Sequence, residues 1–283
     1  MPARNLAENL WYDLRYAIRL LRRSPGFSAI TILSLALGIG ANTAVFSLIN
    51  TLMLRLLPVE EPRQLVEFLQ HYPGEPRGNG FWSWTSYEHY RDQNHTLSGL
   101  IAFSTPSRVR VDAAGFETEN MTAESVSGNF FTVLGLKPAI GRLLGPDDVR
   151  TGGTAVVSWT VWKERFNLSS MILGRRVTVH DVPATIVGVT PAGFDGFMTG
   201  SRTDVWVPIA PSPAARLALV GRLKPGTSIE ATRAEMAVLF QFTIEERTQT
   251  SKDPLIRQMK VEVEPAGAAF RSCAIAWLSR CLC

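Results

Sequence analysis

The sequence predicts an α+β protein: one transmembrane helix followed by an extracytoplasmic α/β domain with two strand-helix-strand units and a β-rich insertion. Three observations carry that expectation. The 31 residues between Arg23 and Arg55 contain no charge, more than the roughly 20 apolar residues a helix needs to cross a bilayer core. Beyond them the apolar period shortens to that of strands, punctuated by Gly, Pro, Asn and Asp. Finally, one strand-helix-strand pattern occurs early in the remaining chain and again near its end, with short strands between.

Residues 1–26 read as a cytoplasmic amphipathic helix. Leu6, Leu10, Leu14, Ile18 and Leu21 recur every three or four positions, with Arg15, Arg19, Arg22 and Arg23 between them. Such a basic helix suits either an anionic membrane surface or a partner protein, and both remain open at this point. Ser24-Pro25-Gly26 then breaks it.

Residues 27–55 form the predicted span. A secretory signal has an apolar stretch of only about 7–15 residues, so an uncleaved anchor is the better reading. Five arginines ahead of the span place the amino terminus in the cytoplasm and everything after it outside. Ala36, Gly40 and Ala44 have the spacing that lets a second helix approach closely, and Asn42 and Asn50 are amides that lipid leaves unsatisfied. These five are the helix-packing candidates. A single anchor with Asn50 near the interface is the alternative. Gly38 and Gly40 begin like a nucleotide-binding glycine loop, but the third glycine is missing.

Residues 56–265 form the predicted outer domain. QLVEFL (64–69) reads as a strand, a loop rich in Pro and Gly follows, Thr85-x-x-Glu88 offers a capping box for a helix to about Asn94, and LSGLIAFS returns as a strand. Near the end, RLALVGRL precedes a Lys-Pro-Gly turn, Thr227-x-x-Glu230 offers a cap for a helix to about Arg247, and MKVEVEP supplies a strand. Between the units lie RVRVDA, FETENMTAESV, TAVVSW, RRVTVH, PATIVGV and DVWVPI at hairpin-like spacing.

Charge argues against a nucleic-acid partner. The whole chain is +4, but residues 1–26 hold +3 and Arg271 and Arg280 add +2, leaving −1 for residues 27–270. A polyanion needs a basic face on the folded body. Cys273, Cys281 and Cys283 all lie in the last eleven residues, so the body has neither disulfides nor thiolate metal sites.

No catalytic, metal or cofactor-binding constellation emerges. His89 and His95 are six apart, which does not put both on one helix face, and His71 and His180 have no ligand-spaced neighbours. Asp147-Asp148 follows Gly145-Pro146, a setting in which carboxylates are solvated or cap the next element. Gly221-x-x-x-x-Gly226-Thr227-Ser228 lacks the lysine of a phosphate loop, and a Pro-Gly hairpin turn explains it better. The aromatic clusters Phe81-Trp82-Ser83-Trp84, Phe130-Phe131 and Trp159 to Trp162 read mainly as core. Phe81, Trp82 and Trp84 end a Gly- and Pro-rich loop, which makes them the candidates for substrate or partner contact.

Several ordered blocks resemble a known family. LRYAIRLLRRSPGFSAITILSLALGIGANTAVFSLIN is similar to the amino-terminal segment of ABC-transporter permeases of the MacB/FtsX-like class, especially the duplicated permeases of acidobacteria. VSGNFFTVLGLKPAIGRLL, TIVGVTPAGFDGF, DVWVPI and GRLKPGTSIEATRAEM resemble that class's periplasmic core domain, in the same order. His180-Asp181-Val182-Pro183 departs from the Asn-Gly turn common there.

The resemblance implies a non-enzymatic permease component in the bacterial inner membrane, working with a separate or fused ABC ATPase. Further transmembrane helices or a second permease copy, and membrane lipid, are the other implied partners. The class exports or extracts macrolides, peptides and lipoproteins, often by mechanotransmission. Residues 266–283 depart from the pattern where a second long apolar helix is expected, so an incomplete amino-terminal fragment with an aberrant tail is anticipated. A single-pass anchored binding or scaffold protein is the alternative, and a cell-envelope enzyme a more distant one.

Overall fold

The computed structural model describes residues 25–49, 58–75, 78–113, 119–179, 181–197 and 202–266, together with Arg15 and Arg19. The predicted amphipathic helix lies outside these residues, apart from Arg15 and Arg19, which are helical and exposed. The chain divides into two compact units, Met1–Leu54 and Arg55–Cys283.

Apart from Arg15 and Arg19, the described part of the first unit is one helix, α1 (Pro25–Ile49). Pro25 opens it, where the missing N–H costs nothing, and Pro25–Thr43 is long and apolar enough to cross a membrane. Its described apolar side chains, Phe27, Ile30, Leu33 and Leu37 among them, are exposed. Thr31 and Thr43 donate their hydroxyls to the carbonyls of Phe27 (2.9 Å) and Ile39 (2.8 Å), so both polar groups are satisfied within the helix.

The second unit is built, in chain order, from β1 (Leu65–His71), α2 (Trp84–Gln93), β2 (Leu97–Ser104), β3 (Ser107–Ala113), β4 (Glu119–Val126), α3 (Phe130–Val133), β5 (Ile140–Gly141) and α4 (Pro146–Thr151). It continues through β6 (Thr154–Val157), α5 (Trp159–Phe166), β7 (Arg176–Val179), β8 (Val182–Val189), β9 (Val205–Pro208), β10 (Leu217–Leu223), α6 (Ile229–Thr250) and β11 (Lys260–Pro265). The two units anticipated from sequence, β1-α2-β2 and β10-α6-β11, interleave in one antiparallel sheet of order β11-β1-β10-β2. That is a ferredoxin-like βαββαβ lobe, in which each helix crosses between strands that are not adjacent.

The insertion closes on itself. From β4 the ladder runs through β3, β7, β8, β6 and β9, and β9 pairs in parallel with β4. A closed barrel leaves no strand edge exposed within it. Val109, Val111, Ala123, Ala155, Val177 and Ile186 belong to its core, a set of small and β-branched residues suited to a narrow interior.

The sheet is covered on both faces. Leu100, Ala102, Leu219 and Phe68 pack with Met236 and Phe240 of α6 and with Tyr90 of α2. Ile101, Phe103, Ala218 and Val220 face the other way, where Phe130 and Phe131 of α3 and Val126, Val156 and Trp206 of the barrel strands join them. Strand β2 is therefore apolar at consecutive positions, as a doubly covered strand must be.

The helix starts differ from the expected capping boxes. Ser83, not Thr85, caps α2 by accepting from Ser86 N–H (3.0 Å). It is held there by α6, since Ser83 Oγ also donates to the Glu246 carboxylate at 3.0 Å. Ser228 caps α6 through Ala231 N–H (3.2 Å), because Thr227 is committed to the preceding turn, donating its N–H to Lys224 O. Strand β6 ends before the Ser-Trp of TAVVSW: Ser158 caps α5, and Trp159 opens that helix. At the β7–β8 hairpin, Val179 pairs with Val182 and Asp181 takes φ 61°. A short acidic side chain tolerates that left-handed turn in place of Asn-Gly.

Candidate functional site

The three aromatic contact candidates sit in different environments. Loop residue Asn79 pairs with Gln70, and Trp82 pairs with Leu217, so this stretch continues the sheet beyond β1 and β10. Trp82 is consequently in the core, 1% exposed, with its indole N–H donated to Phe68 O (3.0 Å) and its ring edge-on to Tyr90. Its surface is taken up by packing in this cluster. Phe81 is half-buried beneath the Arg216 guanidinium, 4.4 Å from its ring centre. Trp84, 8% exposed, belongs to the same buried cluster as Trp82 and also lines an open cleft.

That cleft, about 820 Å³, lies between α2 and α4. Trp84, Tyr87, Pro146, Val149 and Pro211 give it apolar walls, and Glu88, Arg91, Asp147 and Arg150 lie at its edges. Arg91 is paired with Asp92 (2.7 Å) and Asp147 with Arg150, so the edge charges are largely answered in place. At the floor, Tyr87 OH donates to Asn129 Oδ1 (3.3 Å) and Asn129 Nδ2 to Leu100 O (2.8 Å). Burial raises the Tyr87 pKa, so the phenol stays a neutral donor. Gly128 permits the close approach of the two walls: a Cβ there would lie 2.6 Å from Pro146 Cα.

The polar groups in and beside the cleft are committed to internal hydrogen bonds. Asp148, next to the cleft, accepts two hydrogen bonds from Arg142 (2.7 and 2.8 Å) and one from Gly145 N–H (2.7 Å). Those Arg142 bonds above all hold its carboxyl below the usual range, which makes it a poor base. No group of His, Cys, Asp and Glu capable of holding a metal occurs among the described residues. Gly221 lies within β10, against the Leu97 side chain, and Gly226 occupies a turn with φ 80° that leads from β10 into α6, a strand-to-helix connection where the sequence predicts a hairpin.

Of the helix-packing candidates, Ala36, Gly40, Asn42 and Ala44 all fall on α1, with open space around Gly40; Asn50 lies outside the described residues.

Two features escape sequence reasoning. Glu124 on β4 is fully buried, at the seam where the barrel meets the sheet. Its Oε2 accepts from Trp206 Nε1 (2.9 Å) and Thr203 Oγ1 (3.2 Å), while Oε1 has no hydrogen-bond partner among the described residues. Burial without a cation pushes its pKa up to about 8, against the downward pull of those two bonds. Glu in a polar-looking strand, TAES, gives no signal of this.

The second feature is the pairing of two strand ends: Val66 pairs with Pro265, and Ala266, the last described residue, donates its N–H to Leu65 O (2.8 Å), so the start of β1 lies beside the end of β11. The incoming segment is itself fastened: Glu60 N–H bonds to Leu134 O (3.0 Å), and Arg222 donates to the carbonyls of Glu60, Glu61 and Val133.

The described residues thus comprise a ferredoxin-like lobe carrying a closed barrel and, ahead of it in sequence, one helix long and apolar enough to cross a membrane. The chain belongs to the MacB-like periplasmic core domain family, which it matches over residues 28–239. A stretch of 130 residues is 29% identical to the macrolide export ATP-binding/permease protein MacB of Burkholderia thailandensis, covering 41% of this chain and 20% of that protein. The chain thus spans about a fifth of the length of the curated relatives it matches.

Solved structures agree on the fold. The periplasmic region of MacB from Actinobacillus actinomycetemcomitans superimposes with TM-score 0.54 at 13% identity, over 77% of this chain and 92% of that one. The extracellular domain of the noncanonic ABC-type transporter YknZ from Gram-positive bacteria gives 0.50 at 15% identity, over 63% and 94%.

Proposed function

We propose that the chain is a permease component of an ABC transporter of the inner membrane. Its amino terminus is cytoplasmic and its folded domain lies outside, carrying motion from the membrane helices to export or extraction at the outer face. The reading is supported by one observation above all: the start of β1 at Leu65 and the last described residue, Ala266, lie side by side, joined by a hydrogen bond. A domain set between consecutive membrane segments needs that geometry.

In this reading the chain performs no chemistry. A separate ABC ATPase supplies the energy, and other transmembrane helices or a second permease copy pack on α1 through Ala36, Gly40 and Ala44, where small residues allow close backbone approach. Asn42 and Asn50 donate across that contact. The cleft walled by Trp84 and Tyr87 is the surface offered to substrate or partner, with Phe81 beside Arg216 as a second contact.

A cysteine scan of Ser28 to Thr43 in native membranes, after replacing the three native cysteines by serine, tests the packing. Crosslinks to another permease helix should recur every three to four residues and peak at Ala36 and Gly40. Absence of any crosslink along the helix would favour a lone lipid-facing anchor and a scaffold role.

A further inference from the structure

Arg222 lies near the end of β10, where the β10–β2 register shifts between it and Leu223. Such an irregularity re-aims a side chain out of the ladder. Here the guanidinium reaches two segments that are far apart in sequence. Nε donates to Val133 O at 2.7 Å, Nη1 to Glu61 O at 3.1 Å and Nη2 to Glu60 O at 2.5 Å. A planar fork with fixed donors can hold three carbonyls in one geometry, which an ammonium on a flexible stem cannot.

Two further contacts lock the same place from the other side. Glu60 N–H bonds to Leu134 O, and Val59 packs against the buried core. Gly135, with φ 71°, lets the chain pass so closely that a Cβ there would lie 2.4 Å from the Glu60 Cβ. Residues 59–61 are therefore fixed to β10 and to the end of α3, at the segment that leads in from the membrane helix in sequence.

We propose that Arg222 is a coupling residue: it makes the incoming segment a fixed attachment to the outer domain, so that displacement of that segment is delivered to β10 and α3 instead of being absorbed in a slack linker. This rests on the permease reading, in which motion has to cross from membrane helix to outer domain. Arg222 acts through position, touching no substrate.

The test uses the full chain in lipid nanodiscs with the three native cysteines changed to serine. Spin labels on P58C and K252C report how firmly the incoming segment is held to the domain, and labels on R150C and K252C report the domain alone. In the parent, the distribution for the incoming segment should be as narrow as the control. R222Q and R222K should each widen it at least twofold and leave the control unchanged, and hydrogen exchange at the Glu60 amide should quicken at least tenfold in R222Q while Ile101 and Val220 stay protected.

A parent distribution already as broad as that of R222Q overturns the proposal, as does an R222Q distribution no wider than the parent. Widening of the control pair also overturns it, by reducing Arg222 to a fold-stabilising residue. None of these results touches the permease reading, which stands or falls on the helix crosslinks.

Discussion

Replacing Glu124 by Gln should remove most of the dependence of the outer domain's stability on pH between about 5 and 8. In the folded domain this carboxyl is completely buried and its pKa is pushed from 4.5 up to about 8. The fold favours the neutral acid, whereas the unfolded chain ionises it near pH 4.5. Its contribution is therefore fully present below that value and is lost as pH rises through about 8. Within this window each pH unit costs about 1.4 kcal/mol, so raising pH from 5.5 to 7.5 should lower the unfolding free energy by about 3 kcal/mol. The amide in E124Q can still accept from Trp206 and Thr203 but has no proton to lose. Urea unfolding of the full chain in mild detergent, followed by tryptophan fluorescence, measures both proteins at both pH values. Histidine titration is common to the two, so the difference isolates Glu124. Equal pH dependence in wild type and E124Q, or a wild type that gains stability on going to pH 7.5, would refute the reasoning.

Other expectations follow from the same packing. W82A should cost about 3–5 kcal/mol in urea unfolding, as core truncations do, and W84A somewhat less, since Trp84, 8% exposed in the same cluster, also borders the cleft; a larger loss at Trp84 would argue against this ranking. E246A should cost about 2 kcal/mol, because it leaves Ser83 and Ser86 without the carboxylate that ties α2 to α6, and hydrogen exchange should localise the loosening to the start of α2; no change there would contradict the clasp. D148N should cost about 2 kcal/mol at pH 7 by weakening the Arg142 pair and the turn at Gly145. Because the Asp148 pKa is depressed, its contribution is present above the usual carboxylate range and lost as pH falls below it, so D148N should flatten the acid limb of the stability curve; an unchanged acid limb would count against this.

The parts legible in the sequence were those governed by local pattern. The uncharged run, the apolar strand LSGLIAFS and the repeated strand-helix-strand order are enough to reach the fold class, because period and turn chemistry are local properties. What sequence left open depends on pairs far apart. The capping boxes at Thr85 and Thr227 looked sound, yet Glu246, some 160 residues on, favours Ser83, and a turn to Lys224 occupies Thr227. Barrel closure rests on β9 returning to β4, and neither strand advertises it. Trp82 and Trp84 are two residues apart and join the same buried cluster, yet Trp82 pairs with Leu217 while Trp84 opens α2 and also borders the cleft. Arg222 reads as an ordinary strand-end arginine until Glu60, Glu61 and Val133 are brought to it.

The most direct test of the account is on which side of the membrane the folded domain lies. With the native cysteines replaced by serine, R15C and K252C variants of the full chain are treated in intact cells with a membrane-impermeant maleimide, after opening the outer envelope but not the inner membrane. The account predicts that K252C reacts at once and that R15C reacts only after the inner membrane is permeabilised. Prompt labelling of R15C with protection of K252C would contradict it.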